Sequence, residues 1–304
     1  MPDLPQADRF SDRRDDNPYW NESVWFSLAR PEEKLNGIIQ YYFRPSMGML
    51  NGGPILWDPS GTFQWNCLYY NWSHLAAIPP GAEKFNMKAG NSLEVRVVEP
   101  LSRYSIGYDN DGLKMDLVWD AIGPMHEMRS GDPTQSKTAM FHVEQPGRMT
   151  GTIRVGGRDI AIDCFSMRDA SAGPRQYETI SPGSYFWGIA ADSCFHAITL
   201  GAGRDRSLMG GFIWKDGHMA TLVSGTRRAL DYGEYGPSRV AFDGIDALGR
   251  TINITGRVEK GLIHTGYTSH SVVWAQTEWD WGGVTHWGEH QEFCSASKFR
   301  QIMR

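Results

Sequence analysis

The sequence predicts an all-β protein built from two tandem antiparallel β-barrels with few short helices, and three observations carry that expectation. Short segments alternate apolar and polar residues, long apolar stripes of helical period are absent, and glycine-containing turns separate the segments. At 304 residues the chain is long enough for two ordinary domains.

The strand pairs can be read in order. Ser105 to Tyr108, a turn at Asp109-Asn110-Asp111-Gly112 and Leu113 to Trp119 form one predicted hairpin. Met149 to Val155, the pair Gly156-Gly157 and Arg158 to Cys164 form a second. Leu208 to Trp214, Lys215-Asp216-Gly217 and His218 to Val223 give a third, and Val240 to Asp243 with Arg250 to Val258 a fourth. Many short antiparallel strands with tight turns indicate barrels or sandwiches. The best helix candidate, Pro31 to Asn36, is short. The least strand-like stretch in mid-chain, Arg168 to Pro182, places the crossing between halves, with domains expected at 1–172 and 173–304.

Composition narrows the function classes. The net charge of −5 argues against a nucleic-acid partner or an anionic membrane surface, which want clustered Lys and Arg. No apolar run reaches the roughly 20 residues of a membrane span. Met1 to Asp16 is polar and lacks the apolar core of a secretory signal, so a cytoplasmic protein is expected. Cys67, Cys164, Cys194 and Cys294 are scattered and read as free thiols. A homodimer is compatible with all of this.

Cofactor motifs are absent, and none is expected. Gly201-Ala-Gly203 lacks the third glycine of a dinucleotide loop, and no Walker loop or GxSxG elbow occurs. Asp109 to Gly112 lacks the distal Glu of a calcium loop. His286-Trp-Gly-Glu289-His290 is not HExxH, and Gly288 suits no metal-binding helix, so no metal is expected.

The strongest constellation runs from His142 to Arg175. It reads His142-Val-Glu144-Gln-Pro-Gly-Arg148, then the glycine hairpin, then Met167-Arg168-Asp169-Ala-Ser171-Ala-Gly-Pro-Arg175. A His, carboxylates and arginines are thereby expected at the hairpin ends and in a Gly/Pro loop, where polar groups converge on a ligand at a barrel mouth. Burial among aromatics would raise the pKa of Asp169, whereas Arg168 or Arg175 would lower it. A structural Arg–Asp network is the plain alternative. Trp274, Trp279, Trp281 and Trp287 crowd the C-terminal part, and Trp279 and Trp281 would share one face of a strand, as core or as an aromatic wall.

At these residues the chain resembles the hydroxyneurosporene synthase (carotenoid 1,2-hydratase) and AttH-like group, and more closely a bacterial branch sharing its double-lipocalin fold. Gln145-Pro-Gly-Arg148, Met167 to Arg175, Tyr19-Trp-Asn-Glu-Ser23 and Thr277-Glu-Trp-Asp-Trp281 carry the resemblance across most of the chain. It implies two lipocalin-like, calycin-type barrels. It also implies chemistry of the kind its members carry out, hydration of isoprenoid double bonds or of a prenylated isoflavonoid and cyclisation of polyenes, with Asp169 matching a proposed acid. An isoprenoid, steroid or aromatic intermediate fits the size a barrel can hold. Ala170 and Ala172 depart from the pattern, where His or Arg and Trp are usual, and are expected to widen the pocket beside Asp169 or to remove a cation-stabilising ring.

The resulting expectation is a cofactor-independent lyase or isomerase with Asp169, His142 and Glu144 catalytic. Asp169 would donate a proton, aromatic faces would hold the cation, and His142 or Glu144 would take a proton from water or from the cation. Arg168, Ser171, Arg175, Tyr185, Trp187, Trp274, Trp279 and Trp281 would bind the apolar substrate. A non-catalytic carrier and a shape-driven polyene cyclase are the alternatives.

Overall fold

A computed structural model of the chain describes residues 5–11, 17–129, 141–176, 181–267 and 270–302. Part of Met1 to Asp16 and residues 177–180 of the expected crossing lie outside the described residues. Two units are present. The first comprises Met1–Arg30, Gly37–Leu56 and Leu68–Gln176, and the second Pro31–Asn36, Trp57–Cys67 and Tyr177–Arg304. Two short N-terminal excursions therefore belong to the second unit, which a single cut in the chain does not anticipate.

The first unit is built from β1 (Trp20–Arg30), β2 (Leu35–Arg44), β3 (Met49–Trp57), β4 (Tyr69–Tyr70), β5 (Ser73–Ala77), β6 (Met87–Lys88), β7 (Glu94–Glu99), β8 (Arg103–Asn110), β9 (Leu113–Ala121), β10 (His126–Arg129), β11 (Phe141–Val155) and β12 (Arg158–Pro174). The order across the sheet is β4-β3-β2-β1-β12-β11-β9-β8-β7-β6, with β10 on β11 and β5 on β3. One face packs Phe26, Phe85, Tyr104 and Trp119 edge to face. Gly147 on β11 lies against this cluster, since a Cβ there would sit 2.2 Å from the Trp119 ring.

The hairpin of β11 and β12 turns at Gly156 and Gly157, whose φ values of +56° and +77° suit a two-residue turn matched to strand twist. Its strands are longer than the sequence suggests. Residues 165–174, which run into the stretch expected to be least strand-like (Arg168 to Pro182), continue β12 in register with β11 and β1. Ser166 to Gly173 are buried without a break. A strand covered on both faces needs no polar side, so the alternation that would reveal it is missing.

The second unit holds β13 (Gly183–Ile189), β14 (Ser193–Leu200), β15 (Asp205–Lys215), β16 (His218–Tyr232), β17 (Pro237–Asp246), β18 (Thr251–Val258), β19 (Leu262–Tyr267), β20 (His270–Trp281) and β21 (Val284–Ser295). Pairing of β18 with β20 closes eight of these strands into an antiparallel barrel, with β19 added on β20. Its core gathers Phe186, Phe195, Ile213, Phe242, Ile254 and Trp279.

The expected Asp109–Gly112 turn tightens to Asp111-Gly112 between β8 and β9, with φ values of +46° and +81°. The helix candidate reduces to a 3-10 turn, Pro31–Glu33, while a short helix α1 (Ala296–Ile302) forms near the other end. Among the described residues no helix is long and apolar enough to cross a membrane. All four cysteines are free thiols.

Candidate functional site

Register places the site on the first unit. His126 of β10, Glu144 of β11, Asp169 of β12 and Trp25 of β1 are successive cross-strand partners, and so point to one face. The neighbouring row on that face contains His142, Ser171 and Ser23. Strand pairing thus gathers residues far apart in sequence with no loop involved.

His142 is the centre of the group. Its Nε2 hydrogen-bonds Oδ2 of Asp169 and lies 3.1 Å from Oε1 of Glu144. The His142 and Asp169 side chains remain 14% and 12% exposed, whereas the Glu144 side chain is sealed. A substrate could therefore reach the first two but not the third. Burial alone would lower the pKa of His142, but the carboxylates of Asp169 and Glu144 outweigh it and raise the value to about 9. At neutral pH the imidazole is charged and carries a proton held between two acceptors. His126 shows the opposite effect, as burial and the charge of His142 push it down to about 4.

Beside this group, the hydroxyls of Ser23 and Ser171 are 2.5 Å apart, and Arg175 Nη2 donates to Ser171 Oγ at 3.0 Å. One face therefore collects His142, Glu144, Asp169, Ser171 and Arg175 of the expected site. Sequence reasoning missed His126 and Trp25, which join only through pairing and have no motif of their own, and Ser23 enters it only within Tyr19-Trp-Asn-Glu-Ser23, with no role at the site. Donor atoms of His142, Glu144 and Asp169 lie within 4.8 Å of one another, a spacing that a cation could also span. Here the imidazole already engages both carboxylates.

Arg168 does not belong to this face. Period-two alternation turns it to the opposite side of β12, where it pairs with Asp8 at 3.1 Å and is fully buried. The expectation that Arg168 tunes or binds beside Asp169 is thus corrected by strand parity. Ala170 and Ala172 share the side of Arg168, opposite Val24 and Glu22 of β1, so they do not widen a pocket at Asp169.

The aromatic residues expected at the site belong to the second unit. Trp279 is fully buried in the barrel core, and Trp281 packs against Phe195 and His286 at 6.1 and 5.3 Å. They share a face, but it is the barrel interior. Tyr185, Trp187 and Trp274 lie on the other face, in rows with Gln291, Glu289 and Gln276. Trp274 stacks on His264 at 4.4 Å, and Tyr185 meets the His196 ring at 4.7 Å. The five rings therefore do not form one wall. Glu289 points away from His286 and His290, because its neighbour His290 faces the interior toward Arg227.

Residues 5–293 match the family described as Domain of unknown function (DUF7064). The chain belongs to the DUF7064 family. No curated protein matches it in sequence. Among solved structures, CghA is similar at 10% identity over 91% of this chain and 88% of that one, with a TM-score of 0.59. An AttH-type protein (NE1406) of Nitrosomonas europaea is similar at 12% identity over 91% and 93%, with a TM-score of 0.58. Kievitone hydratase of Nectria haematococca follows at 10% identity over 91% and 89%, with a TM-score of 0.57. At such identities the likeness is one of fold, and this DUF7064 chain has the AttH-like arrangement of two tandem lipocalin-like units.

Proposed function

We propose that this DUF7064 protein is a cofactor-independent lyase or isomerase that moves a proton onto and off an apolar small molecule. The observation that carries this reading is the charged His142 imidazole, held by two carboxylates and partly open to solvent. A buried pair with one shared proton is suited to acid–base work. His142 is the proton source, and Asp169 stabilises the charged ring and receives the proton when it returns. Glu144 acts behind them as a fixed countercharge.

Proton delivery to an alkene creates a cation, as does protonation of the hydroxyl of an activated alcohol followed by C–O cleavage and departure of water. The negative charge around His142 and the Trp25 ring on the same face favour a cation there. Water addition completes a hydration, proton loss an elimination or isomerisation, and internal capture a cyclisation. Hydroxyneurosporene synthase-type hydration of an isoprenoid is one member of this class, and steroid or aromatic substrates are others. One of the similar structures is named a hydratase, and CghA is recorded with the small molecule Sch210972, which supports a small-molecule site on this fold. The free thiols fit a cytoplasmic setting.

The test is mass spectrometry of molecules retained by the purified protein, followed by turnover of the retained class and of prenylated phenols. Expected is conversion by the native chain and loss of conversion in Asp169→Asn at unchanged binding. A ligand retained unchanged, with no conversion of any such compound, would instead make the protein a carrier.

A further inference from the structure

The opposite face of the first sheet contains a carboxylate that no strand supplies. Asp8 lies in the irregular segment 5–11 and is fully buried. Its Oδ1 accepts from Arg168 Nη1 at 3.1 Å and from the Tyr104 hydroxyl at 2.6 Å, and its Oδ2 accepts from the Leu101 amide at 3.0 Å. These are three donors converging on one carboxylate.

The donors belong to the sheet or lie next to it. Arg168 is fixed by Gln145, whose Oε1 accepts from Nη2 at 3.0 Å and from Nε at 3.3 Å. Its guanidinium carbon stands 4.7 Å from the Tyr104 ring, 4.8 Å from Phe85 and 5.8 Å from Trp119. A guanidinium enclosed by aromatics and a neutral amide requires an anion, because a buried charge left without a partner is strongly destabilising. The sheet supplies the arginine, but its partner comes from a segment outside it.

That segment resembles a ligand in chemical outline. Two residues after Asp8, Phe10 sets its ring edge-on to Phe43 at 5.0 Å. No β-strand is assigned to segment 5–11; its Phe10 amide donates to Glu83 at 2.7 Å and its Ser11 amide to the two Glu22 oxygens at 3.0 and 3.1 Å. We propose that the cradle of Arg168, Tyr104 and Leu101 is a second ligand site, for a small carboxylic acid with an apolar body, and that segment 5–11 occupies it as an internal stand-in. The site lies on the other side of β12 from Asp169, so it does not depend on the acid–base reading. The tethered carboxylate competes at high effective concentration, so an external acid must displace it.

The test uses the full chain with Asp8→Gly, which removes the internal carboxylate. Acetate and phenylacetate are titrated against chloride at matched ionic strength, and thermal unfolding is followed. Expected is a saturable rise in melting temperature for Asp8→Gly, with a midpoint at least about tenfold lower than in the native chain, and about tenfold weaker again when Tyr104→Phe is added. Equal response of Asp8→Gly and native chain overturns the proposal. A second measurement covers a variant that folds neither with nor without acetate. In the native chain, phenylacetate should speed hydrogen exchange at the Phe10 and Ser11 amides in step with its binding. Exchange that stays unchanged at saturation would overturn the stand-in role.

Discussion

Glu144 and Asp169 face each other directly across β11 and β12, and His142 reaches both carboxylates from two residues along the strand. The carboxylates are unequal, because only that of Asp169 is reachable from solvent. Asp169→Asn keeps the shape and removes the stronger of the two attractions that hold the proton on His142. Turnover should fall by about 10²–10⁴-fold, the usual worth of a positioned acid or base. The His142 pKa, followed by NMR of the ring, should fall from about 9 toward its ordinary value. A variant that turns over at the native rate would remove Asp169 from the mechanism.

Ala172→Trp separates the two faces of β12. If Ala172 bordered the Asp169 pocket, a tryptophan would change substrate choice at little cost in stability. Its side chain instead belongs to the face of Arg168 and is 2% exposed in a packed interior. The substitution should therefore destabilise by about 1–3 kcal/mol or more through overpacking, read as a lower urea midpoint. The His142 pKa should stay where it is.

Trp279→Leu should behave as a core substitution. Trp279 has no exposed surface and meets Phe186 and Phe195 at 5.4 Å each. A loss of about 2–4 kcal/mol is expected in chemical unfolding, somewhat below the range for truncation to alanine. Ligand retention should be unchanged in the fraction that folds. Lost retention at native stability would place Trp279 at a binding surface after all.

Turn chemistry made much of the fold legible. Gly156-Gly157, Asp111-Gly112 and Asp216-Gly217 all occur where the chain needs positive φ in a two-residue hairpin. The alternation flanking them is that of half-buried strands. Legibility failed at β12, because a strand buried on both faces loses its polar side and Ser-Ala-Gly-Pro then reads as a loop. A loop has no strand parity, so the sequence alone does not show that Arg168, Ala170 and Ala172 face away from Asp169. His142 and Glu144 could be picked out by residue type. His126 could not, since it reaches Glu144 only through a four-residue strand. The tryptophans near the C-terminal end were readable as strand residues, but the sequence does not say which face of a barrel each would take.

Stability should depend on pH through histidines with opposite shifts. His142 has its pKa raised to about 9 in the folded chain, from an ordinary 6.5. Below 6.5 both states are protonated and its stabilisation is fully present. As pH rises toward 9 the unfolded chain loses that proton first, and the contribution disappears. His126, lowered to about 4, and His290, lowered well below 6.5, act on the other side. Between about 4 and 6.5 the unfolded chain binds protons that the buried neutral rings refuse, so stability falls as pH falls. The two limbs together predict a maximum near pH 6.5, seen in urea midpoints measured across pH 4 to 9.5. His142→Gln should flatten the alkaline limb and make the acid limb somewhat shallower, because the charge of His142 is part of what holds His126 down, whereas His126→Gln should change the acid limb alone. An alkaline limb that keeps its slope in His142→Gln would mean that the imidazole is not held charged by Asp169 and Glu144, and would withdraw the proton source on which the proposed chemistry depends.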